Sequence, residues 1–140
     1  MIYTTYFANV KNLPQHVVPV SIAAKTPSWW SGLTYKTLAP KYDMLAEYHA
    51  TGNEELFAEK YIRGVLMHLT ARRVVSELFE LANSTDVALV CYEKQDSFCH
   101  RQLVAYWLER GGYIVNEFKN SGQRVSATVC HDSCNGGLTC

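Results

Sequence analysis

Val87-Ala88-Leu89-Val90 carries no polar side chain, and Cys91 extends the run. The stretch is too short for a helix and lacks the alternation of a half-exposed strand. It therefore reads as a strand covered on both faces. A strand of that kind requires helices on either side of it, which points to a mainly parallel sheet in an α/β domain.

The rest of the chain supplies those layers. Residues 2–8, rich in Tyr, Thr and Phe, predict a first strand, and residues 17–23 a second. Residues 25–32 carry Pro27 and Gly32 and predict a loop holding Trp29 and Trp30. Pro40 suits the first turn of a helix that Thr51-Gly52-Asn53 stops. Asn53 can cap a second helix, with Leu56, Phe57, Tyr61, Val65 and Leu66 at helical spacing. Thr70 can cap a third, whose stripe is Val74, Val75, Leu78, Phe79 and Leu81. A fourth helix over residues 98–110 ends at Gly111-Gly112, and residues 113–118 predict the last strand. Strands alternating with helices predict a single three-layer Rossmann-like or flavodoxin-like domain over residues 1–118. The expected strand order is 2-1-3-4, with residues 2–8 and 87–91 adjacent at its centre. Residues 119–140 read as an irregular tail rich in Gly, Ser and Asn, holding Cys130, Cys134 and Cys140.

The loop after the apolar strand carries the chemistry. Cys91, Glu93, Cys99, His100 and Arg101 place two thiols, a carboxylate, an imidazole and a guanidinium around one strand-to-helix turn. Ligands of open α/β sheets bind at that carboxyl end. With Asp96 or Ser97 as cap, Cys99, His100 and Arg101 fall in the first helical turn, where free amides favour anions and thiolates. At about 100° per residue, His100 falls mid-stripe with Leu103, Val104, Trp107 and Leu108, and Cys99 and Arg101 fall on its edges. In the functional reading Cys99 is the nucleophile, with Glu93 and His100 completing the catalytic group. Arg101, Cys91, Asn9, Trp29 and Trp30 then bind the ligand, because the loops after Phe7 and Val90 open into one crevice. Structural readings stand beside each of these. His100 can be a core imidazole bonded to the sheet or to Glu93, Cys91 a small hydrophobe, Arg101 a partner of Glu93, and the tryptophans packing.

The segment VALVCYEKQDSFCHR followed by LVAYWL resembles the YeaO-like family, domain of unknown function 488. That family's pattern is a strand ending in Cys-x-Glu, a short loop, then Cys-His-Arg opening a helix. The match falls on Cys91, Glu93, Cys99, His100 and Arg101. The segments IYTTYFAN, SIAAKTPSWW and YKTLAP look like one branch of it. Where other members carry a Gly-His-Ser type sequence after the first strand, this chain has Phe7-Ala8-Asn9. The resemblance implies the fold and the site and supplies no reaction.

Thirteen basic residues balance thirteen acidic ones, so net charge gives no support to a nucleic-acid partner and no pull toward an anionic membrane. No apolar run approaches the ~20 residues that span a bilayer, and residues 1–7 lack signal-peptide character, which predicts a cytoplasmic protein. Glycine fingerprints for phosphates or dinucleotides and the Gly-x-Ser-x-Gly elbow are missing, so no cofactor is expected. A zinc reading joins Cys91, Cys99 and His100 to members of the tail, where Cys130, His131 and Cys134 supply ligand types without paired knuckles. A disulfide between two tail cysteines is a rival to zinc, and free thiols are the first reading of the tail. Two functions remain: an enzyme acting on a small anionic or nucleotide-like ligand, and a module that binds a nucleotide or nucleic-acid end without chemistry.

Overall fold

A computed structural model describes residues 1–93 and 98–119. Asp96, Ser97, Cys130, His131 and Cys134 lie outside the described residues. So does all of the tail except Lys119.

Five strands form the sheet: β1 (Ile2–Tyr6), β2 (Val18–Ser21), β3 (Leu33–Thr34), β4 (Val87–Cys91) and β5 (Val115–Glu117). They lie in the order β3-β2-β4-β1-β5, and every pairing is parallel. Four α-helices flank the sheet: α1 (Tyr42–Thr51), α2 (Glu54–Gly64), α3 (Ala71–Ala82) and α4 (His100–Arg110). The architecture is α/β and Rossmann- or flavodoxin-like, as the alternation of strands and helices predicts. Among the described residues no helix is long and apolar enough to cross a membrane.

β4 takes the middle of the sheet, and all five of its residues are buried. Ile2 to Tyr6 run alongside Val87 to Cys91 on one side, and Val18 to Ser21 pair with Val87 to Val90 on the other. The strand order corrects the expected 2-1-3-4. β4 stands between β2 and β1, so in the same four strands the order is 2-3-1-4. Consecutive strands tend to be neighbours, which favours placing β1 beside β2. Here the least polar strand takes the central position, with cover on each face.

The helix boundaries follow local chemistry. Asn53 Oδ1 accepts the Leu56 N–H at 3.0 Å, and Thr70 Oγ1 accepts that of Arg73 at 3.3 Å. Gly52 closes α1 at φ +67°, a left-handed conformation that glycine adopts without a Cβ penalty. The buried face of α3 is Val74, Val75 and Leu78, while Leu81, expected in that stripe, is exposed. β1 is shorter than its apolar pattern because residues 7–12 wind into a 3₁₀ turn. Asn9 anchors that turn, its Nδ2 donating to Thr5 Oγ1 and to the Phe118 carbonyl, each at 3.2 Å. Strand β3 has no counterpart in the sequence reading. Two residues are too few to show a period.

The core rests on β4, where Leu89 is fully buried. Leu89→Ala is expected to cost about 2–5 kcal/mol, the range for emptying a tightly packed leucine site. Urea unfolding checks it, and a cost below about 1 kcal/mol would mean that β4 is less enclosed than described.

Candidate functional site

The first helical turn of α4 meets the carboxyl ends of β4 and β2. Cys99 adopts extended backbone (φ −155°) and is itself the N-cap of α4, its N–H donating to Gln102 Oε1 at 3.2 Å. This moves the helix start one residue past Cys99, where the sequence reading had a cap at Asp96 or Ser97. His100 and Arg101 open the helix. The face that is buried is His100, Arg101, Val104 and Leu108. Arg101 therefore belongs to the inner face rather than its edge. Trp107 and Leu103 weight a hydrophobic pattern strongly yet are only partly buried, whereas a paired guanidinium counts as polar and is enclosed.

Arg101 has no exposed surface and points into the fold. Its Nε and Nη2 donate to the two carboxylate oxygens of Glu117 on β5, at 3.2 and 2.9 Å. Nη1 donates to the Glu93 carbonyl at 2.5 Å and lies 3.4 Å from Cys91 Sγ. Tyr6 lies under the guanidinium, its ring centroid 5.8 Å from Cζ. Thr4 Oγ1 donates to Glu117 Oε1 at 2.5 Å. The expected role of Arg101 as a fork for a bound anion is corrected by this geometry. Its planar face and its donors are committed to Glu117, to the β4 exit and to Tyr6. The expected alternative partner, the Glu93 carboxylate, is replaced by the Glu93 backbone.

His100 is the best-defined polar group of the site. Its Nε2 lies 2.8 Å from the Ile22 carbonyl, just past β2. A carbonyl only accepts, so Nε2 carries the proton and Nδ1 presents a lone pair. That lone pair faces Cys99 Sγ at 3.8 Å. Burial lowers the imidazole pKa to about 4; the Ile22 hydrogen bond opposes the shift and the Arg101 charge adds to it. At neutral pH His100 is an uncharged imidazole with one free acceptor nitrogen. Cys91 and Cys99 are bonded sulfur to sulfur as a disulfide, and the ligating atoms of Cys91, Cys99 and His100 all lie within 4.8 Å of one another.

This buried cluster forms the floor of a pocket of about 380 Å³. Its walls include Tyr48 of α1, Phe57 of α2, and Phe98, with Glu93, Lys25 and His49 also lining it. Tyr48, Phe57 and Phe98 meet one another with ring centroids 5.2–5.9 Å apart. Tyr61 stands edge-on to His100 and donates to the Leu38 carbonyl at 2.5 Å, so the imidazole is fixed from above as well as by Ile22. A second groove of about 930 Å³ shares Ala24, Lys25, Pro40, Leu45 and His49 with the pocket and adds Lys36, Lys41 and His68.

The fold thus brings Cys91, Glu93, Cys99 and His100 to one pocket, with Arg101 behind its floor. Asn9, Trp29 and Trp30 are not among its lining residues. Asn9 is buried in its own hydrogen bonds, and both tryptophans pack edge-on against Phe7, which also meets Tyr92. Their expected place in a shared crevice followed from the loops after Phe7 and Val90 opening side by side, and β1 and β4 are indeed neighbours. The turn after β1 meets the β4 exit through Phe7 and Tyr92, and the tryptophans pack onto Phe7 instead of lining the pocket. Tyr48, Lys25 and His49 carried no signal in the sequence, and Phe57 read only as core. Glu117 did carry one, as a carboxylate two residues from buried Val115 on a short strand.

Residues 11–112 match the model of the DUF488-N3a family, described as the active DUF488-N3 subclade. The matched span includes the whole Cys-x-Glu and Cys-His-Arg pattern and bears out the family resemblance. No curated protein and no solved structure matches the chain.

Glu117→Gln keeps the shape of the side chain but leaves a buried guanidinium without its counter-charge. A loss of about 3–5 kcal/mol is expected in urea unfolding. The double replacement Arg101→Met, Glu117→Leu should recover most of it, because neither charge is then stranded. An unchanged midpoint for Glu117→Gln would show that the pair does not hold α4 to β5.

Proposed function

The chain belongs to the DUF488-N3a family, and from that premise we propose that it is an enzyme acting on a small anionic, nucleotide-like ligand. The observation that carries the reading is the placement of Cys91, Cys99 and His100. Three reactive groups, each buried, line the floor of an open pocket. A purely structural cluster has no need of a ligand-sized space above it. The family's description as an active subclade agrees with this.

The walls suit a planar group and an anion together. Tyr48, Phe57 and Phe98 offer aromatic surface on which a base can stack. Lys25 and His49 stand where the pocket meets the neighbouring groove, and Lys36 and Lys41 continue the basic lining. Among the described residues no acidic side chain lines that groove. With Arg101 committed to Glu117, these lysines are the cations that a phosphate or carboxylate can reach.

Once a thiol reductant has opened the Cys91–Cys99 bond, Cys99 and His100 form the reactive pair. The Ile22 carbonyl holds the imidazole in one tautomer, so Nδ1 is always turned to the sulfur. Glu93, exposed beside the floor, is the group placed to give or take a proton at the ligand.

Calorimetric titration with nucleoside mono- and diphosphates, and with inorganic phosphate as control, tests the reading, with chromatography following consumption of each compound. At least one nucleotide should bind more tightly than phosphate and be consumed. Phe98→Ala should weaken binding by about 1–3 kcal/mol, the worth of one stacked base. Lys25→Ala should weaken it severalfold and more so at low salt. Cys99→Ser should keep the affinity and lose turnover. Binding without turnover in the parent would make the pocket a recognition module, and no binding of any compound would reject the ligand class.

A further inference from the structure

We infer that Cys91, Cys99 and His100 are three protein ligands of a tetrahedral zinc(II) site whose fourth position opens into the pocket. The inference rests on the reading of this cluster as the reactive centre and deepens it by naming the ion through which the centre works.

The donor set comes first. Two thiolates and one neutral imidazole are the soft and borderline ligands that select zinc over magnesium or calcium. All three side chains are buried, and their ligating atoms lie within 4.8 Å of one another. Around an ion with Zn–S near 2.3 Å and Zn–N near 2.0 Å, tetrahedral angles set sulfur and nitrogen about 3.5 Å apart. Cys99 Sγ and His100 Nδ1 stand 3.8 Å apart.

In the structure the two sulfurs are bonded, so the zinc site belongs to the dithiol state, reached when a thiol reductant supplies two electrons to open that bond. The backbone spacing favours the opened state. The Cα atoms of Cys91 and Cys99 are 7.5 Å apart. Disulfides usually span about 4.4–6.8 Å between Cα atoms, and beyond about 7 Å the backbone has to move to close one. Two thiolates on one zinc ion sit about 3.8 Å apart, a longer bridge that this spacing accommodates.

The surrounding residues are those a metal centre requires. A ligating histidine typically donates its other ring N–H to a carbonyl or carboxylate, which fixes the tautomer and aims the lone pair. Here Ile22 provides that carbonyl at 2.8 Å. Arg101 Nη1 lies 3.4 Å from Cys91 Sγ and offsets thiolate charge. Arg101 is held in turn by Glu117, so a chain of contacts reaches from β5 to the sulfur. Three protein ligands and one open position describe a catalytic rather than a structural zinc site. Water, or a donor atom of the bound ligand, completes the tetrahedron from the pocket side, beneath Phe98 and beside Glu93. With the ion in place both sulfurs are ligands, and the reacting group enters at that fourth position.

The test uses the full chain, purified under reducing conditions after growth with zinc and after growth with chelator. Elemental analysis should find about one zinc per chain in the first preparation. Cobalt(II) added to the metal-free protein should give the intense visible bands of a tetrahedral site and thiolate charge-transfer absorption, both abolished by zinc. Iodoacetamide labelling mapped by mass spectrometry reads the ligands in the unmutated chain. Cys91 and Cys99 should be protected in the zinc-loaded protein and at least tenfold more labelled after chelation. Cys91→Ser and His100→Asn should each lose most of the zinc, with circular dichroism recording whether they fold. A chain with Cys130, Cys134 and Cys140 replaced by serine should retain it. Zinc lost with the tail cysteines, or Cys91 and Cys99 labelled equally with and without zinc, would overturn the site. Zinc binding in a protein that takes up no nucleotide would leave the metal site and reject the ligand class. Nucleotide turnover undiminished in zinc-free protein would do the reverse.

Discussion

The buried guanidinium of Arg101 is the point on which the site depends. It lies where α4, β5, β1 and the exit of β4 converge, and it bonds or packs to all of them. Removing a charge from water is costly, and the structure offsets that cost with a bidentate carboxylate, a backbone carbonyl and an aromatic face. The return is geometric. Because Arg101 is anchored to Glu117, the helix that carries Cys99 and His100 has one depth and one rotation against the sheet. Without that anchor, a helix whose inner face begins with an imidazole and a guanidinium would gain little from burying its first turn.

A second constraint comes from the opposite side of the sheet. The Ile22 carbonyl lies just beyond β2, and the Ile22 N–H continues the ladder to Val90. The same residue therefore ties β2 to β4 through its amide and β2 to α4 through its carbonyl. His100 is thereby held in one tautomer by the sheet itself, with Tyr61 standing against its ring. Cys91 ends the central strand, Cys99 caps the helix and His100 follows it. Two elements with independent reasons to be rigid, β4 and α4, thus deliver three ligating atoms to one place. α1 and α2 contribute the aromatic walls, so the pocket lies between the rigid sheet edge and a helical pair.

Much of this was legible in the chain. The apolar run at residues 87–91 implied a central, doubly covered strand, and the structure has it there. The Asn53 and Thr70 caps and the Gly52 stop are local events decided by a few neighbouring residues, and they fall where their chemistry placed them. The motif around Cys91 and Cys99 marked the site because chemistry-bearing residues were concentrated at one strand end. The strand order, the cap of α4, and the roles of Arg101, Asn9, Trp29 and Trp30 were not legible. The roles of these side chains depend on partners far away in the chain: Glu117 for Arg101, Phe118 for Asn9, and Phe7 for the tryptophans. Periodicity counts a charged side chain as outward-facing, and only its distant counter-charge reverses that.

The sequence by itself determined the kinds of element and the identity of the reactive groups, because helix caps, strand apolarity and motif spacing are short-range properties. Tertiary structure decided what those groups can do. It assigned Arg101 to Glu117 rather than to a ligand and turned the Nδ1 lone pair of His100 toward Cys99. It also set Tyr48 and Phe57 of separate helices over the same floor. Those choices rest on contacts between residues tens of positions apart, and such contacts exist only once the sheet has ordered its strands.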